Sequence, residues 1–498
     1  MCPLCRMQNL MAFRNERFLY QRKCGFSDEN ILSLYPPTSP YIVYEQSIWH
    51  SDKWDSMDYG RDFDFERPFF EQFHELSLDV PCISLHNNEN ENSEYCNSTN
   101  NLKNCYLCFN TGHAEDFYYC NTTGYGRDCM DMFWSLQNEL CYECTKVHKS
   151  YHSFFCFQGQ NLTDCYFCED CRSCTNCFGC TGLRQKEYCI YNKSVGKEKY
   201  EAFMQDFEFT NESIAEEQKK VMALRLHSPH KNLEIHKSED SVGDYIENSK
   251  NCRACFDVMN SENCKYVWDG IVNNSYDCFN TGIDTNFIYY SLAIFNSNNV
   301  RFSNKCGFVS DVDYSYNCTH SEKLFGCNGL TRKKYCILNK QYTREEYEVI
   351  LPRIIEYMKS TGEWCEFFPG GISHVDYNDT LAHEYFPLDR TEALTAGFNW
   401  NDYEKPTVNS GGENVKACEL CKKPFKMVAQ ELKFYKKTSL PKPDLCPDCR
   451  HWKRKSRINP RKLWDRKCCK CEGDVKSTYS PERPEIVYCE PCYLAEIY

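Results

Sequence analysis

The sequence lacks the signatures of membrane proteins and of the common enzyme classes. No apolar run approaches the roughly 20 residues that cross a bilayer, so we expect no membrane partner. The chain also lacks a Walker loop, a dinucleotide fingerprint, an HExxH motif and a nucleophile elbow. It does not begin with a basic and then apolar leader, so we predict a cytoplasmic protein. Together these absences favour a protein that is not an enzyme.

One acidic segment is a candidate for catalysis. It contains His50, Asp52, Asp55, Asp58, Asp62 and Asp64. Carboxylates so close together can hold a hard cation, which makes a metal-dependent nuclease or hydrolase the second alternative function. Such a run is more often a polar loop bonded to the backbone, here with Arg61 as a partner. We therefore predict no catalytic residue.

Cysteine, in contrast, is abundant, with 37 residues. A long chain with paired CxxC motifs is more typical of reduced thiols and zinc than of the disulfides of small secreted proteins. Two such sets lie in the last part of the sequence, with 24 residues between the pairs of the first set and 17 in the second. The predicted metal ligands are Cys418, Cys421, Cys446 and Cys449, and then Cys468, Cys471, Cys489 and Cys492. Four thiolates in each set predict about two structural zinc ions.

The flanking sequence predicts a treble-clef arrangement for each set. After the first pair we expect a hairpin, at 425–435 in the first set and at 475–479 with 486–488 in the second. The second pair then opens a helix, at 447–458 or 491–498. A helix N-terminus favours the thiolate form of cysteines in its first turn.

The head of the chain repeats the tail. A shift of 444 residues places Cys2 and Cys5 on Cys446 and Cys449, and the match continues for about fifty residues. The head has lost ligands: Ser27, Glu45 and Ile48 stand where the tail has Cys471, Cys489 and Cys492. Cys2 and Cys5 are therefore weak metal candidates, with an upstream segment or other cysteines expected to supply the remaining ligands.

A second repeat, with an offset of 147, relates residues 101–203 to residues 248–350. Within its first copy a period of twelve recurs, and steps of twelve from Cys105 reach Phe117, Cys129, Cys141, Ser153 and Cys165. This period fits neither a helix nor a flat strand but suits a β-solenoid. The pattern does not distinguish a coil of twelve residues from one of 18 or 24.

The periodic cysteines are either buried filler or ligands. Phe117, Met132, Ser153 and Val267 take cysteine places, and a metal ligand cannot be replaced by Phe or Val. Filler is therefore favoured, but a thiolate metal store, centred on residues 165–180, is the first alternative function. Disulfides are a further alternative.

The fold class that follows is mainly β with α segments: two tandem cysteine-rich β-solenoid-like arrays flanked by treble-clef zinc modules. The predicted segments are a degenerate zinc ribbon at 1–50, an acidic connection at 51–95, array 1 at 96–195, a helical linker at 196–246, array 2 at 247–341, a helix and linker at 342–414, module A at 415–467 and module B at 468–498. Thr343 and Glu346 form a predicted capping box at the start of the helix after array 2.

Charge separates the tail from the rest of the chain. Residues 418–498 hold 19 Lys and Arg against 11 Asp and Glu, whereas the remainder holds 39 against 60. With Trp452 and Trp464 nearby, a basic helix could grip phosphates and stack on bases. The weak nucleic-acid candidates are Arg450, Lys453, Arg454, Lys455, Arg457, Arg461 and Lys462. The alternatives are a solvated face and a protein partner, so we predict a non-enzymatic zinc scaffold that binds nucleic acid or protein.

Several segments resemble one protein family. They are residues 12–17, 51–55, 58–65, 178–193, 362–364 and 367–369, and the whole of 418–498. These strings look like an uncharacterised family of cysteine-rich zinc-ribbon proteins from small-genome candidate-phyla bacteria. Its members typically carry a complete paired CxxC ahead of the head segment, and this chain departs from that pattern. The resemblance implies an architecture but no activity.

Overall fold

The computed structural model describes residues 1–406 and 412–497, so parts of the predicted linker 342–414 and of the predicted helix 491–498 lie outside it. The chain forms two compact units. Unit 1 combines Met1–Leu85 with Glu234–Glu404, and unit 2 combines His86–Leu233 with Lys405–Tyr498. Unit 1 therefore joins array 2 to the head of the chain, and unit 2 joins array 1 to the two cysteine modules of the tail. Among the described residues, no helix has the length and apolar character needed to cross a membrane.

Helices and strands alternate in blocks along the chain. The helices are α1 Pro3–Met11, α2 Gln46–Trp49, α3 Phe69–Asp79, α4 Lys197–Asp206, α5 Asn211–Leu226, α6 Arg344–Thr361, α7 Leu381–Tyr385, α8 Arg390–Thr395, α9 Ala429–Thr438, α10 Pro447–Lys455 and α11 Glu490–Ile497. The strands before residue 200 are β1 Tyr20–Lys23, β2 Asn30–Ser33, β3 Val43–Tyr44, β4 Cys82–Ile83, β5 Asn87–Asn88, β6 Asn97–Lys103, β7 Phe109–Tyr118, β8 Asn121–Met130, β9 Phe133–Leu136, β10 Thr163–Tyr166, β11 Thr175–Phe178, β12 Glu187–Ile190 and β13 Lys193–Ser194. Those after it are β14 Pro229–Lys231, β15 Ile235–His236, β16 Val242–Glu247, β17 Lys250–Met259, β18 Glu262–Gly270, β19 Tyr276–Thr281, β20 Asn286–Leu292, β21 Asn298–Arg301, β22 Ser310–Asp313, β23 Glu322–Phe325, β24 Lys334–Ile337, β25 Lys340–Gln341, β26 Val415–Ala417, β27 Pro424–Lys426, β28 Trp464–Lys467, β29 Asp474–Ser477 and β30 Ile486–Tyr488. The capping box at Thr343 and Glu346 is confirmed at the start of α6.

Each repeat array is a parallel β ladder that ends in one antiparallel pair, β12 with β13 or β24 with β25. Ladder 1, in unit 2, comprises the sheets β5 to β9 and β10 to β13, which isolated parallel bridges such as Tyr142↔Phe154 connect, and ladder 2 runs from β15 to β25 in unit 1. In ladder 1 the paired residues are twelve apart, as in Phe117↔Cys129 and Cys165↔Cys177. Ladder 2 keeps this register over most of its length, with steps of 11 where β15 pairs with β16 and at Val242↔Arg253, and steps of 11 and 13 on either side of Tyr276. The period of twelve in the sequence is therefore the pairing register of the strands.

A shorter period of three lies within each repeat of twelve. Every third residue of ladder 1 has a left-handed backbone, for example Asn101, Asn104 and Leu107, with φ of 52°, 55° and 50°. Asparagine tolerates this conformation better than most residues, which explains the Asn and Asp that precede the periodic cysteines. The residue that follows each left-handed position points inward, so each repeat of twelve supplies four inward side chains.

Thiols and hydroxyls have the same role at these inward positions. The Sγ of Cys165 lies 3.4 Å from the carbonyl oxygens of Thr163 and Cys174, to which it donates. The Oγ of Ser150 donates to the carbonyl of His148 and accepts the N–H of Leu162, both at 3.0 Å. Small donors thus satisfy backbone groups inside a narrow core. All 37 cysteines are free thiols, and the periodic ones are buried together with Phe117 and Met132.

Candidate metal centres

The first cysteine pair of each set lies in the turn of a short antiparallel hairpin. Strands β26 and β27 flank Cys418 and Cys421 in module A, and β28 and β29 flank Cys468 and Cys471 in module B. The second pair lies at a helix start, as predicted: Cys446 is the N-cap of α10, and Cys489 immediately precedes α11. A rigid turn and a helix start therefore present two thiols each toward one point.

The predicted hairpin positions were wrong in two respects. Residues 429–435 belong to helix α9, and β27 instead pairs backward with β26 across the cysteine turn. In module B, β30 does not pair with β29 but runs parallel to β14, with Val487 opposite His230. The physical reason is that the CxxC turn is itself the hairpin tip, so the strands bracket the first pair rather than follow it.

The sulfur geometry fits zinc. In each set the four ligand atoms all lie within 4.8 Å of one another. The Sγ atoms of Cys421 and Cys446 are 3.8 Å apart, as are those of Cys471 and Cys489. A tetrahedral ion with Zn–S bonds of about 2.3 Å places its sulfurs about 3.8 Å apart. Both groups therefore have the donor type of a four-cysteine zinc site, and one sulfur pair in each has its edge length.

Backbone amides prepare one thiolate in each set. Burial disfavours ionisation of Cys418, but the N–H groups of Cys421 and Cys446 outweigh it and lower the pKa of Cys418 to about 6. Burial likewise opposes ionisation of Cys468, and the N–H groups of Cys489 and Cys471 lower its pKa to about 6. The N–H of Cys446 donates to the Sγ of Cys418 at 3.2 Å. Amide donors of this kind stabilise the deprotonated form that binds metal.

The other predicted metal candidates do not form a comparable group. Across residues 1–406 and 412–497, only the two tail sets bring three or more candidate ligand atoms within 4.8 Å. The cysteines of residues 165–180 lie along the ladder core instead. In the acidic segment, Asp55 pairs with Lys333 at 3.2 Å and Asp62 with Lys340 at 2.6 Å. These carboxylates hold the segment to ladder 2 within unit 1.

The head module reproduces part of the tail geometry with an incomplete set of cysteines. Cys2 is the N-cap of α1, and its Sγ lies 3.2 Å from that of Cys5. The N–H of Glu45 donates to the Sγ of Cys24 at 3.3 Å, as the N–H of Cys489 donates to Cys468. Glu45 now caps α2 through its carboxylate. A helix-capping carboxylate thus stands where the tail has Cys489 of the second four-cysteine group.

The predicted nucleic-acid residues divide into buried and accessible groups. Arg450, Arg454 and Arg461 are 4%, 2% and 9% exposed. The Nη1 of Arg454 lies 2.7 Å from Asp131 Oδ1, and that of Arg450 lies 3.4 Å from Asp131 Oδ2. The guanidinium of Arg461 lies 5.4 Å from the ring centre of Trp134. The core of unit 2 therefore buries three of the seven predicted nucleic-acid residues.

The remaining members of that set lie nearer to solvent. Arg457 forms an ion pair with Glu169, and Lys453 lies 3.4 Å from Glu143. Lys455 and Lys462 lie over the rings of Trp452 and Trp464, at 5.0 and 5.1 Å from the ring centres. Lys453 and Lys462 are exposed, whereas Lys455 and Arg457 are half-buried.

A buried polar network fastens module A to ladder 1, and sequence reasoning missed it. Glu431 accepts the Tyr119 hydroxyl at 2.7 Å and the Arg450 guanidinium at 3.1 Å. Tyr435 donates to Glu431 at 2.9 Å and accepts from Arg450 at 2.8 Å. Burial raises the pKa of Asp131, and the adjacent arginines oppose that rise. Two arginines against Asp131 and Glu431 leave the buried network without net charge.

Comparison with known proteins adds no assignment. No protein-family model matches the sequence, and no curated protein matches it. One similar solved structure comes from Desulfovibrio desulfuricans G20 and is provisionally assigned as an acetyltransferase. The two chains are 12% identical with a TM-score of 0.12, and the similarity covers 43% of this chain and 63% of that one, less than two thirds of its length. A likeness at this TM-score carries no argument about fold or function.

Proposed function

We propose that the protein is a non-enzymatic scaffold in which two structural zinc ions hold the C-terminal modules in the form that docks on ladder 1. The observation that carries the proposal is the pair of four-thiol groups with zinc-like sulfur spacing. Four thiolates fill a tetrahedral coordination shell and leave no open position for substrate, which is typical of a structural site. The treble-clef description and the likeness to the candidate-phyla zinc-ribbon family belong to the same proposal.

We infer that both ladders are β-solenoids with a coil of twelve residues. Parallel pairing of residues twelve apart supports this, since each coil then stacks directly on the one before. The four inward positions per repeat support it further, because each of them supplies one side chain to the interior of a narrow coil. Such a coil gives the zinc modules a rigid surface to dock on.

The docking contacts support a scaffold role for the basic helix. Cys446 and Cys449 open α10, and the same helix carries Arg450 and Arg454 to Asp131. Zinc at these thiolates would fix the start of the helix whose side chains enter ladder 1. A metal store is less well supported, since the described residues contain no further group of three or more candidate ligand atoms within 4.8 Å of one another.

Metal content of freshly purified protein tests the scaffold. We expect about two zinc ions per chain by native mass spectrometry, and about one in Cys418→Ser. Cys469→Ser is the matched control, because Cys469 is exposed and adjoins Cys468 without belonging to either group. A metal count well above two, or an unchanged count in Cys418→Ser, would count against the proposal.

Nucleic-acid binding is a second candidate, supported by the lysines beside tryptophan. Lys455 and Lys462 place their charge next to Trp452 and Trp464, a combination that suits phosphates and bases. Replacing Lys453, Lys455 and Lys462 by Glu should abolish salt-sensitive binding of single-stranded RNA. The control replaces Lys422, Lys423 and Lys436, which are exposed elsewhere in the same module. Equal binding by both triple variants would reject this candidate.

A further inference from the structure

A cleft of about 670 Å³ opens in unit 2 between the first turns of ladder 1 and helix α9. Tyr95, Tyr106, Tyr118 and Phe434 line it. The rings of Tyr95 and Tyr106 lie 5.4 Å apart, and Tyr95 is 45% exposed, so an aromatic face is open to solvent. The volume lies within the range of small-molecule sites, and aromatic walls are typical of them.

The ladder wall of this cleft is acidic. Asp116 and Asp128 occupy the same column on successive strands, because their neighbours pair as Glu115↔Arg127 and Phe117↔Cys129. Adjacent strands lie about 4.8 Å apart, so the two charges repel each other. Lys437 lies 3.3 Å from Asp128. Asp116 accepts the Tyr118 hydroxyl at 3.4 Å, and no cationic side chain of the described chain forms an ion pair with it.

The same column of ladder 2 shows which side chains the fold requires at the positions of Asp116 and Asp128. Its equivalent column is Asn251, Asn263 and Asn274, whose amides hydrogen-bond in series at 2.9 and 3.0 Å. Its equivalents of Tyr106 and Tyr118 are Arg253 and Lys265, which pair with each other in register. Side-chain amides in this column therefore hydrogen-bond to one another without the charge repulsion of two carboxylates. The two carboxylates and the tyrosines are a property of ladder 1 that the fold does not require.

We propose that this cleft binds a small organic cation of the arginine or lysine type. Its guanidinium or ammonium group would lie against Asp116 and over the ring faces of Tyr95 and Tyr106. Lys433, exposed on the α9 wall, repels a polycation and attracts a carboxylate at the other end of the ligand. Asp116, Asp128 and Glu94 do not converge as a metal group would, which fits an organic cation better than a metal ion.

Calorimetric titration of the full-length, zinc-loaded protein with arginine, agmatine and spermidine tests the proposal. We expect arginine to bind with a submillimolar Kd, agmatine more weakly, and spermidine more weakly still because of Lys433. Lys433→Gln should tighten agmatine binding, because it removes the repulsion. A tripeptide with a central arginine separates a free ligand from a peptide-borne one: tighter binding of the tripeptide assigns the site to a basic peptide side chain. No heat with arginine, agmatine or the tripeptide would overturn the proposal.

The critical variant is Asp116→Asn, alone and with Asp128→Asn. Because both changes install the amides that ladder 2 already carries, the variants should fold and bind two zinc ions like the parent. Binding of arginine should weaken about tenfold or more, since a charge-assisted contact is lost. The Tm of Asp116→Asn should equal or exceed that of the parent, because the carboxylate pair is relieved. Unchanged arginine binding, or a lower Tm in a correctly folded variant, would reject the assigned role of Asp116.

Discussion

Asp277 lies 2.9 Å from Arg6 in unit 1, in the place that Asp131 takes beside Arg450 in unit 2. Arg6 and Arg450 are related by the shift of 444 residues, and each follows the second cysteine of a CxxC pair. Both aspartates have a left-handed backbone, with φ of 53° and 56°. The head and tail modules therefore dock on their ladders through the same ion pair, although among the described residues four-cysteine groups occur only in the tail.

The first prediction concerns the buried partner of two arginines. Asp131→Asn should lower the free energy of unfolding of unit 2 by about 3 to 5 kcal/mol, because Arg450 and Arg454 lose a buried counter-charge. Glu139→Gln is the control: its pair with Arg127 is exposed and should contribute about 1 kcal/mol or less. Urea unfolding measures both values. Equal effects would contradict a structural role for the buried pair.

The second prediction concerns thiol accessibility. With metal bound, only the exposed cysteines outside the tetrads should react quickly with a thiol reagent, namely Cys2, Cys5, Cys365 and Cys469. A chelator should add the tetrad cysteines, and denaturant should release all 37. Ladder thiols stay protected because they are buried and their burial opposes ionisation. Fast reaction of many more than four thiols in the native protein would contradict the buried-core role.

The third prediction concerns the donor role of the ladder cysteines. The Sγ of Cys168 donates to the carbonyls of Tyr166 and Cys177, at 3.5 and 3.4 Å. Cys168→Ser keeps a donor of similar size and should cost less stability than Cys168→Ala, which removes the side-chain donor although the Tyr166 carbonyl still accepts the N–H of Gly179. The difference should be about 1 kcal/mol in urea unfolding. A more stable Ala variant would show that packing alone decides this position; the zinc count should not change in either case.

The sequence contained the ladder register because the period is a property of inward side chains. Cysteine, serine and methionine recur at steps of twelve, since each inward position meets the same surroundings on the next strand. The step of three is visible in the sequence only from Cys165 to Cys180, where every inward residue is cysteine. Elsewhere Thr, Ala, Gly and Asn take these positions, so the shorter period is hidden from a search for cysteine alone.

The two four-cysteine groups were predictable from spacing, whereas the docking network was not. A CxxC pair is a local signal, but Asp131 and Arg454 are 323 residues apart and neither lies in a motif. The one signal in the sequence was the position of Asp131, which at steps of twelve falls in the same column as the aromatic residues Tyr119, Phe155 and Phe167. The basic helix indicated surface binding because sequence alone does not show that its arginines meet buried carboxylates.

The fourth prediction concerns acid stability of unit 1. The ring of His374 stacks on that of Tyr316 at 4.1 Å and lies 4.7 Å from that of Tyr41. Burial, with the charge of Lys305 adding to it, lowers the pKa of His374 to about 3 from its ordinary value of 6.5. The unfolded chain therefore binds this proton at a higher pH than the folded chain does. Unit 1 should lose stability as the pH falls below about 6.5, and the loss should level off near about pH 3.

His374→Phe should remove this pH dependence, because it keeps an aromatic ring between the tyrosines but cannot take up a proton. Between about pH 7 and about pH 4 the wild type should lose about 3 kcal/mol more than the variant. Amide exchange of residues 310–325 reports on unit 1, so metal loss from unit 2 in acid does not disturb the comparison. Parallel stability curves for the two proteins would show that His374 is not buried as a neutral ring.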